Sequence, residues 1–252
     1  MGVSLSRRQP LDIGHYGISR EALGPVDAGC VDVRAWFEGT EADAQASRRP
    51  VELEIGSGKG TFLVQQAGAN PHVNYLGLEY ARAFWRYSAD RARRHGLANV
   101  RVVHAEADSF VRHRLAERCL RQVHIYFPDP WPKKRHNRRR LVQSGFLQAL
   151  HRVLEDPWPG DAQAGLVRLA TDHADYFQWM NEHARLVGDL FEILPFARPE
   201  SAGEGEYVGS NFERKYRLED RPIHGMVLRK RPVAGSLSGS AGDGSAVGGA
   251  VT

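Results

Sequence analysis

The chain has 252 residues, 42% hydrophobic and 25% charged, with two cysteines and a net charge of +4. Such a composition excludes a disordered chain and a disulfide-framed scaffold, and no apolar run approaches the roughly 20 residues that span a bilayer. The opening MGVSLSRRQPLDIGHYG has no apolar stretch after its arginines, so no secretory signal is expected, and Cys30 and Cys119 are expected to be free thiols of a cytoplasmic protein. Positive charge is clustered: six Lys or Arg lie between Lys133 and Arg140, and Arg91, Arg93 and Arg94 form a second group. Clustered cations attract polyanions.

Residues 1–48 mix Gly, Pro and charge without a period and are expected to form an irregular extension. Val51–Ile55 reads as a strand ending in glycines, and Thr61–Ala69 as a helix. Val73–Leu78 is a second strand, and Arg82–His95 a helix with Phe84, Tyr87 and Ala92 on one side. Strands are expected at Val100–His104 and Gln122–Phe127, separated by a helix over Phe110–Arg118. A long helix is expected over Arg138–Leu154, with Leu141, Phe146, Leu150 and Val153 near helical spacing. A strand at Gly165–Ala170, a helix at Asp175–Val187 and strands at Phe191–Leu194 and His224–Arg229 follow. Residues 233–252 are mostly Gly, Ser and Ala and are expected to form a disordered tail. No repeat is visible. Strands alternating with helices predict an α/β fold over residues 49–232, a mostly parallel central sheet flanked by helices. Ligands in such sheets bind where the strands end, at their carboxyl edge.

The first strand ends in Glu54-Ile-Gly56-Ser-Gly58-Lys-Gly60, and the second ends near Glu79. Glycines let the backbone turn and approach a ligand closely, and an acid about 20 residues on can accept hydrogen bonds from ribose hydroxyls. A dinucleotide site has the same gross pattern but the spacing G-x-G-x-x-G. Here the spacing is G-x-G-x-G after an acid, which resembles the first motif of Rossmann-type methyltransferases. Glu106 follows the third strand. The fourth strand runs into Phe127-Pro128-Asp129-Pro130-Trp131-Pro132-Lys133-Lys134-Arg135-His136-Asn137-Arg138-Arg139-Arg140. Prolines hold this backbone extended, which places Asp129 and Trp131 at the mouth of the site. Aromatic surface beside cations suits an unstacked base next to phosphates.

The string F-P-D-P-W-x-K-x-R-H-N-x-R-R resembles the signature of the tRNA (guanine-N7)-methyltransferases. The glycine motif, Glu79, the Ala170–Asp172 segment and Ser210-Asn211-Phe212-Glu213 fall in that family's order, and the likeness spans roughly residues 48–231. It implies a Rossmann-like fold, S-adenosylmethionine as cofactor, and a variable-loop guanosine of tRNA as target. No metal, obligate protein partner or membrane association is expected, and the chain is expected to be a monomer or homodimer. By the resemblance, Glu54, Gly56, Gly58, Glu79, Glu106 and Asp129 hold the cofactor, and Asp129 is also catalytic. Lys133, Asp172, Ser210, Asn211, Phe212 and Glu213 match the substrate positions, and Arg135, His136, Asn137, Arg138, Arg139 and Arg140 the RNA-contacting run. Glu106 stands where Asp is expected, and Ser210 where Thr is usual. Guanine N7 carries an exposed lone pair, so no general base is demanded. The residues leave open whether Asp129 or Asp172 faces the purine. Alternative readings are an exocyclic-amine methyltransferase, which carries an Asn/Asp-Pro-Pro-aromatic motif, a small-molecule methyltransferase, and an inactive RNA-binding subunit.

Overall fold

The computed structural model describes residues 10–37, 45–199 and 202–232. The tail expected over 233–252 lies outside the described residues. Eight strands, β1 (Gly17–Ile18), β2 (Val51–Ile55), β3 (Asn74–Glu79), β4 (Val100–His104), β5 (Gln122–Tyr126), β6 (Leu166–Thr171), β7 (Phe191–Pro195) and β8 (His224–Lys230), form one sheet in the order β1-β4-β3-β2-β5-β6-β8-β7. Pairing is parallel from β1 through β6, and β8 runs against both of its neighbours. The chain steps outward from β2 through β3 to β4, then returns to β5 and steps the other way. The connections leaving β2 and β5 therefore diverge, and a crevice opens between them.

Helices α1 (Arg20–Leu23), α2 (Thr61–Ala69), α3 (Arg82–Arg94), α4 (Ala107–His113), α5 (Ser144–Val153), α6 (Ala174–Arg185) and α7 (Asn211–Leu218) accompany the strands. Side-chain alternation divides the core between the two faces. Val51, Leu53, Ile55, Leu76, Leu78 and Val103 pack with α4, α5 and α6. Tyr75, Val100 and Val102 pack instead with Leu63 and Ala67 of α2 and with Trp85, Ala89 and Ala92 of α3. The helix α3 face differs from the expected one. Trp85, Ser88, Ala89 and Ala92 are buried, while Phe84 and Tyr87 are exposed. The Trp85 indole N–H donates to the Val102 carbonyl at 2.8 Å, which fixes the rotation of the helix.

The α2 side of the central strands carries a polar column. Glu52 accepts from His124 Nε2 at 3.0 Å, from Gln122 at 3.0 Å and from Arg121 at 2.5 Å. His124 Nδ1 meets the Tyr126 hydroxyl at 3.0 Å. The Glu52 carboxylate requires His124 to donate from Nε2, so Tyr126 donates to Nδ1. Burial and neighbouring guanidiniums hold the His124 ring below its usual pKa, while that ring and Arg121 keep the Glu52 carboxyl below its usual range. A cavity of about 160 Å³ opens beside this column at the amino ends of the strands. Two of the guanidiniums that line it are engaged: Arg121 with Glu52 and Asp161, Arg168 with Gln122 and Gln163.

Two expected elements change. The helix expected over Arg138–Leu154 is instead a 3-10 helix, Lys134–Arg139, a break, and then α5. Arg140 turns inward at φ −60°, ψ 132° and is 1% exposed, and its guanidinium bonds the Pro130 carbonyl and the Asp175 carboxylate, which pulls the chain out of the helix. The helix expected over Phe110–Arg118 begins and ends earlier, as α4. The Glu106 carboxylate caps its first turn, and Arg114 beyond its end reaches the carbonyls of Leu23 and Pro25. Within residues 10–37, Gly17 and Ile18 pair with Val102 and Val103 and add an edge strand. Among the described residues no helix is long and apolar enough to cross a membrane.

Candidate active site

In-register parallel pairing sends the acidic residues to one edge of the sheet. Glu54 lies opposite Gly77 and His124, and Glu79 opposite His104. Glu106, Asp129 and Asp172 follow the ends of β4, β5 and β6 in turn. The glycine loop is folded against β3: the N–H groups of Gly56 and Ser57 both donate to the Leu78 carbonyl, at 2.9 and 3.0 Å. Gly58, at φ +52°, donates its N–H to Glu79 Oε2 at 2.8 Å. Gly60, at φ +66°, has no room for a side chain, since a Cβ there would sit 2.8 Å from Ser88 Cβ. The loop thus brings α2 and α3 together at the site.

Glu54 is buried, and its Oε2 has no hydrogen-bond partner among the described residues. Burial, with the nearby Glu79 charge adding to it, pushes this carboxyl up to about 8. A buried acceptor without a donor fits a cationic ligand group, such as the α-ammonium of the cofactor that the resemblance implies. Glu79 uses one oxygen on Gly58 and the other on the Ala81 N–H at 2.7 Å; each retains a lone pair for a hydroxyl. Glu106 is exposed, and both its oxygens accept from α4, at the N–H groups of Asp108 and Ser109.

The segment after β5 is strained. Phe127 has φ +53° and Trp131 φ +42°, conformations that cost a non-glycine residue of order 1–3 kcal/mol each. They flank Pro128, Asp129 and Pro130, and they present Asp129 exposed, with no ion pair or side-chain hydrogen bond among the described residues. The Phe127 N–H is tied to the Ala170 carbonyl at 2.8 Å, which couples this loop to β6. The Arg139 guanidinium lies 5.0 Å over the Trp131 ring, and His136 meets the same ring edge-on at 6.0 Å. Lys133, Lys134, Arg135, Arg138 and Arg139 are exposed, whereas Asn137 is half-buried. Arg140 departs from the run. It lies between the rings of Tyr176 and Trp179, at 5.0 and 5.4 Å, and anchors the loop to α6.

Asp172 is held differently from Asp129. Its Oδ2 accepts from Arg221 at 2.9 Å, and its side chain is 12% exposed. Arg221 also lies 4.8 Å over the Tyr216 ring, and Tyr216 packs on Phe127 and Phe212. Helix α7 carries this aromatic group over the glycine loop, with Phe212 Cε2 3.6 Å from where a Gly58 Cβ would lie. Ser210 and Phe212 line the same cleft as Glu54, Gly56, Lys59 and Tyr126. Ser210 caps α7 by accepting from the Glu213 N–H at 3.1 Å. Asn211 is the first residue of that helix. Glu213 is fully buried, and its carboxylate accepts from the N–H groups of Tyr207, Val208 and Gly209. Glu213 therefore shapes the loop over the cleft from within. Sequence reasoning missed Tyr126, Tyr216 and Arg221. The alternation Val-Glu-Leu-Glu-Ile in β2 was the available signal for the polar column that ends in Tyr126. For Tyr216 and Arg221 there was no comparable sign.

A family model described as "Putative methyltransferase" matches residues 48–226. The chain is 38% identical to the tRNA (guanine-N(7)-)-methyltransferase of Halorhodospira halophila, across 73% of this chain and 76% of that protein. The chain belongs to that methyltransferase family. A second relative in the family, the enzyme of the same name from Corynebacterium efficiens, is 33% identical over 80% of this chain and 74% of that protein. The matched residues of the family model contain the glycine loop, the strained Pro-Asp-Pro segment and α7, so the site described above lies wholly within the family's shared part.

Proposed function

We propose that the chain transfers a methyl group from S-adenosylmethionine to N7 of a guanine in tRNA. The observation that carries this is Asp129, exposed and unpaired between two strained residues, at the crevice where the connections after β2 and β5 diverge and next to a run of exposed cations. The names of the family's curated relatives support the same reading.

S-adenosylmethionine supplies an electrophilic methyl on a sulfonium. Glu54 takes the cofactor's α-ammonium, and the glycine loop with Glu79 takes its ribose. Glu106 marks the adenine end, with the spare lone pairs of its capping carboxylate. No side chain has to remove a proton from N7, so the protein's work is alignment, which can supply on the order of 7–11 kcal/mol of a barrier. Asp129 faces the purine and balances the positive charge that develops on it. Asp172 is already neutralised by Arg221 and serves as part of the wall. Ser210 and Phe212 close the cleft beside the base, and Glu213 holds their loop. Lys133, Arg135, Arg138 and Arg139 hold phosphates without reading sequence.

The test is incubation of the purified chain with labelled S-adenosylmethionine and an unmodified tRNA transcript, followed by nucleoside analysis. Label in 7-methylguanosine is expected. Label in an N2- or N6-methylated nucleoside would assign an exocyclic-amine reaction, and cofactor binding without transfer would assign a binding subunit or a small-molecule enzyme.

A further inference from the structure

The second arginine cluster of the sequence is not used by the site, and it lies on the helix whose exposed face differs from expectation. Tyr80, Phe84, Tyr87, Arg91 and Arg94 are spaced by four, three, four and three residues, so they share one stripe along α3 and the turn before it. The aromatic members are open to solvent: Tyr80 is 63% exposed, Phe84 45% and Tyr87 37%. Three large exposed aromatic rings in one row are unusual on a protein surface, and Arg20 of α1 lies 4.7 Å over the outermost of them, Tyr80. The stripe starts at the cleft, where Tyr80 follows Glu79, and it runs beside the glycine loop. There Arg91 donates to the Lys59 carbonyl at 3.1 Å and to Thr61 Oγ1 at 2.7 Å.

Charge selects the partner. The acid on this helix, Asp90, is buried and already answered by Arg93 and Arg94. Arg91 belongs to the stripe and Lys59 adjoins it through the Arg91–Lys59 carbonyl bond, and neither makes an ion pair among the described residues. Aromatic faces flanked by uncompensated cations suit nucleobases stacked between phosphates. An apolar protein partner would favour the rings alone.

We propose that the α3 stripe is a second RNA-docking surface, on which unpaired bases of the substrate tRNA stack against Phe84 and Tyr87 while Lys59 and Arg91 meet the adjoining phosphates. It lies across the cleft from the Trp131–Arg139 rim, which Arg140 anchors to α6 on the opposite face of the sheet. A tRNA that touches both surfaces presents its target base between them. This rests on tRNA being the substrate.

The experiment compares the wild type with a Phe84→Ser/Tyr87→Ser variant and a Phe84→Tyr/Tyr87→Phe variant. Each is assayed on a full tRNA transcript and on a short stem–loop that carries only the target guanosine. The serine variant should raise KM for full tRNA about tenfold, with kcat, cofactor affinity and stem–loop turnover unchanged, while the aromatic swap should keep the wild-type KM. An unchanged KM for full tRNA in the serine variant overturns the proposal. So does an equal loss on both substrates, which would mean a disturbed glycine loop, or a halving of the molar mass in light scattering, which would assign the rings to a second copy of the chain. A wild type that neither binds nor methylates tRNA removes the substrate reading along with this one, whereas normal wild-type turnover beside an unaffected serine variant removes this one alone.

Discussion

Glu54 is protonated in the free site near neutral pH because burial raises its carboxyl to about 8. A group whose folded pKa lies above its unfolded one stabilises the fold most at low pH. That contribution is lost as pH rises from the ordinary carboxyl range through about 8. A cationic ligand reverses the preference, because it favours the ionised form. Cofactor binding should therefore release a proton near neutral pH, and affinity should rise between pH 6.5 and 8.5. Calorimetry in two buffers of different ionisation enthalpy measures this directly; an apparent enthalpy that does not depend on the buffer would contradict the ammonium role. Asp129 lies at the other side of the crevice, exposed and strained into place. Asp129→Ala should lower kcat at least a hundredfold while circular dichroism and cofactor affinity stay near wild type. Wild-type turnover in that variant would transfer the purine-facing role to Asp172.

At the scale of elements, the basic run after β5 is two structures rather than one helix. Arg139 is exposed and lies over Trp131, whereas Arg140 is buried against Tyr176 and Trp179. Neighbouring arginines should therefore fail differently. Arg139→Glu should weaken tRNA binding and flatten its salt dependence, with thermal stability unchanged. Arg140→Ala should lower stability by about 2–4 kcal/mol, because it removes a buried side chain and the anchor between the loop and α6. Thermal melts and binding titrations across salt separate the two, and equal melting losses would refute the distinction. The sequence could not distinguish them, since adjacent Lys and Arg are all good helix formers and the inward turn is set by a carboxylate 35 residues away. The strands were more legible: β2 and β4 match their expected ends because apolar runs bounded by glycine or polar residues leave little choice. Helix α7 was missed as a helix because its body is mostly polar, although Ser210-x-x-Glu213 has the form of a capping box. The structure uses only half of that box, since the Glu213 carboxylate serves the loop before the cap. Glu213→Gln should leave the chain folded but loosen this loop, and cleavage at 202–209 in limited proteolysis should become faster. A proteolysis pattern like that of wild type would show that the loop does not depend on the carboxylate.

For the whole molecule, the parallel sheet and its crevice were predictable from the alternation of strands and helices. Which faces the helices bury was not, because Phe84 and Tyr87 look as apolar as the residues that pack. In the proposed arrangement the cleft of the glycine loop lies between two cation-rich aromatic rims, Trp131 with Arg139 on one side and the α3 stripe on the other. The proposed reaction passes a methyl group to N7 of guanine with no proton removed. The most direct test is methyl acceptance by two tRNA transcripts, one ordinary and one built with 7-deazaguanosine, in which carbon replaces N7 and the lone pair is gone. The account predicts uptake of one methyl per ordinary transcript and none by the 7-deaza transcript at equal concentration. Equal uptake by both would contradict it and place the acceptor elsewhere on the RNA.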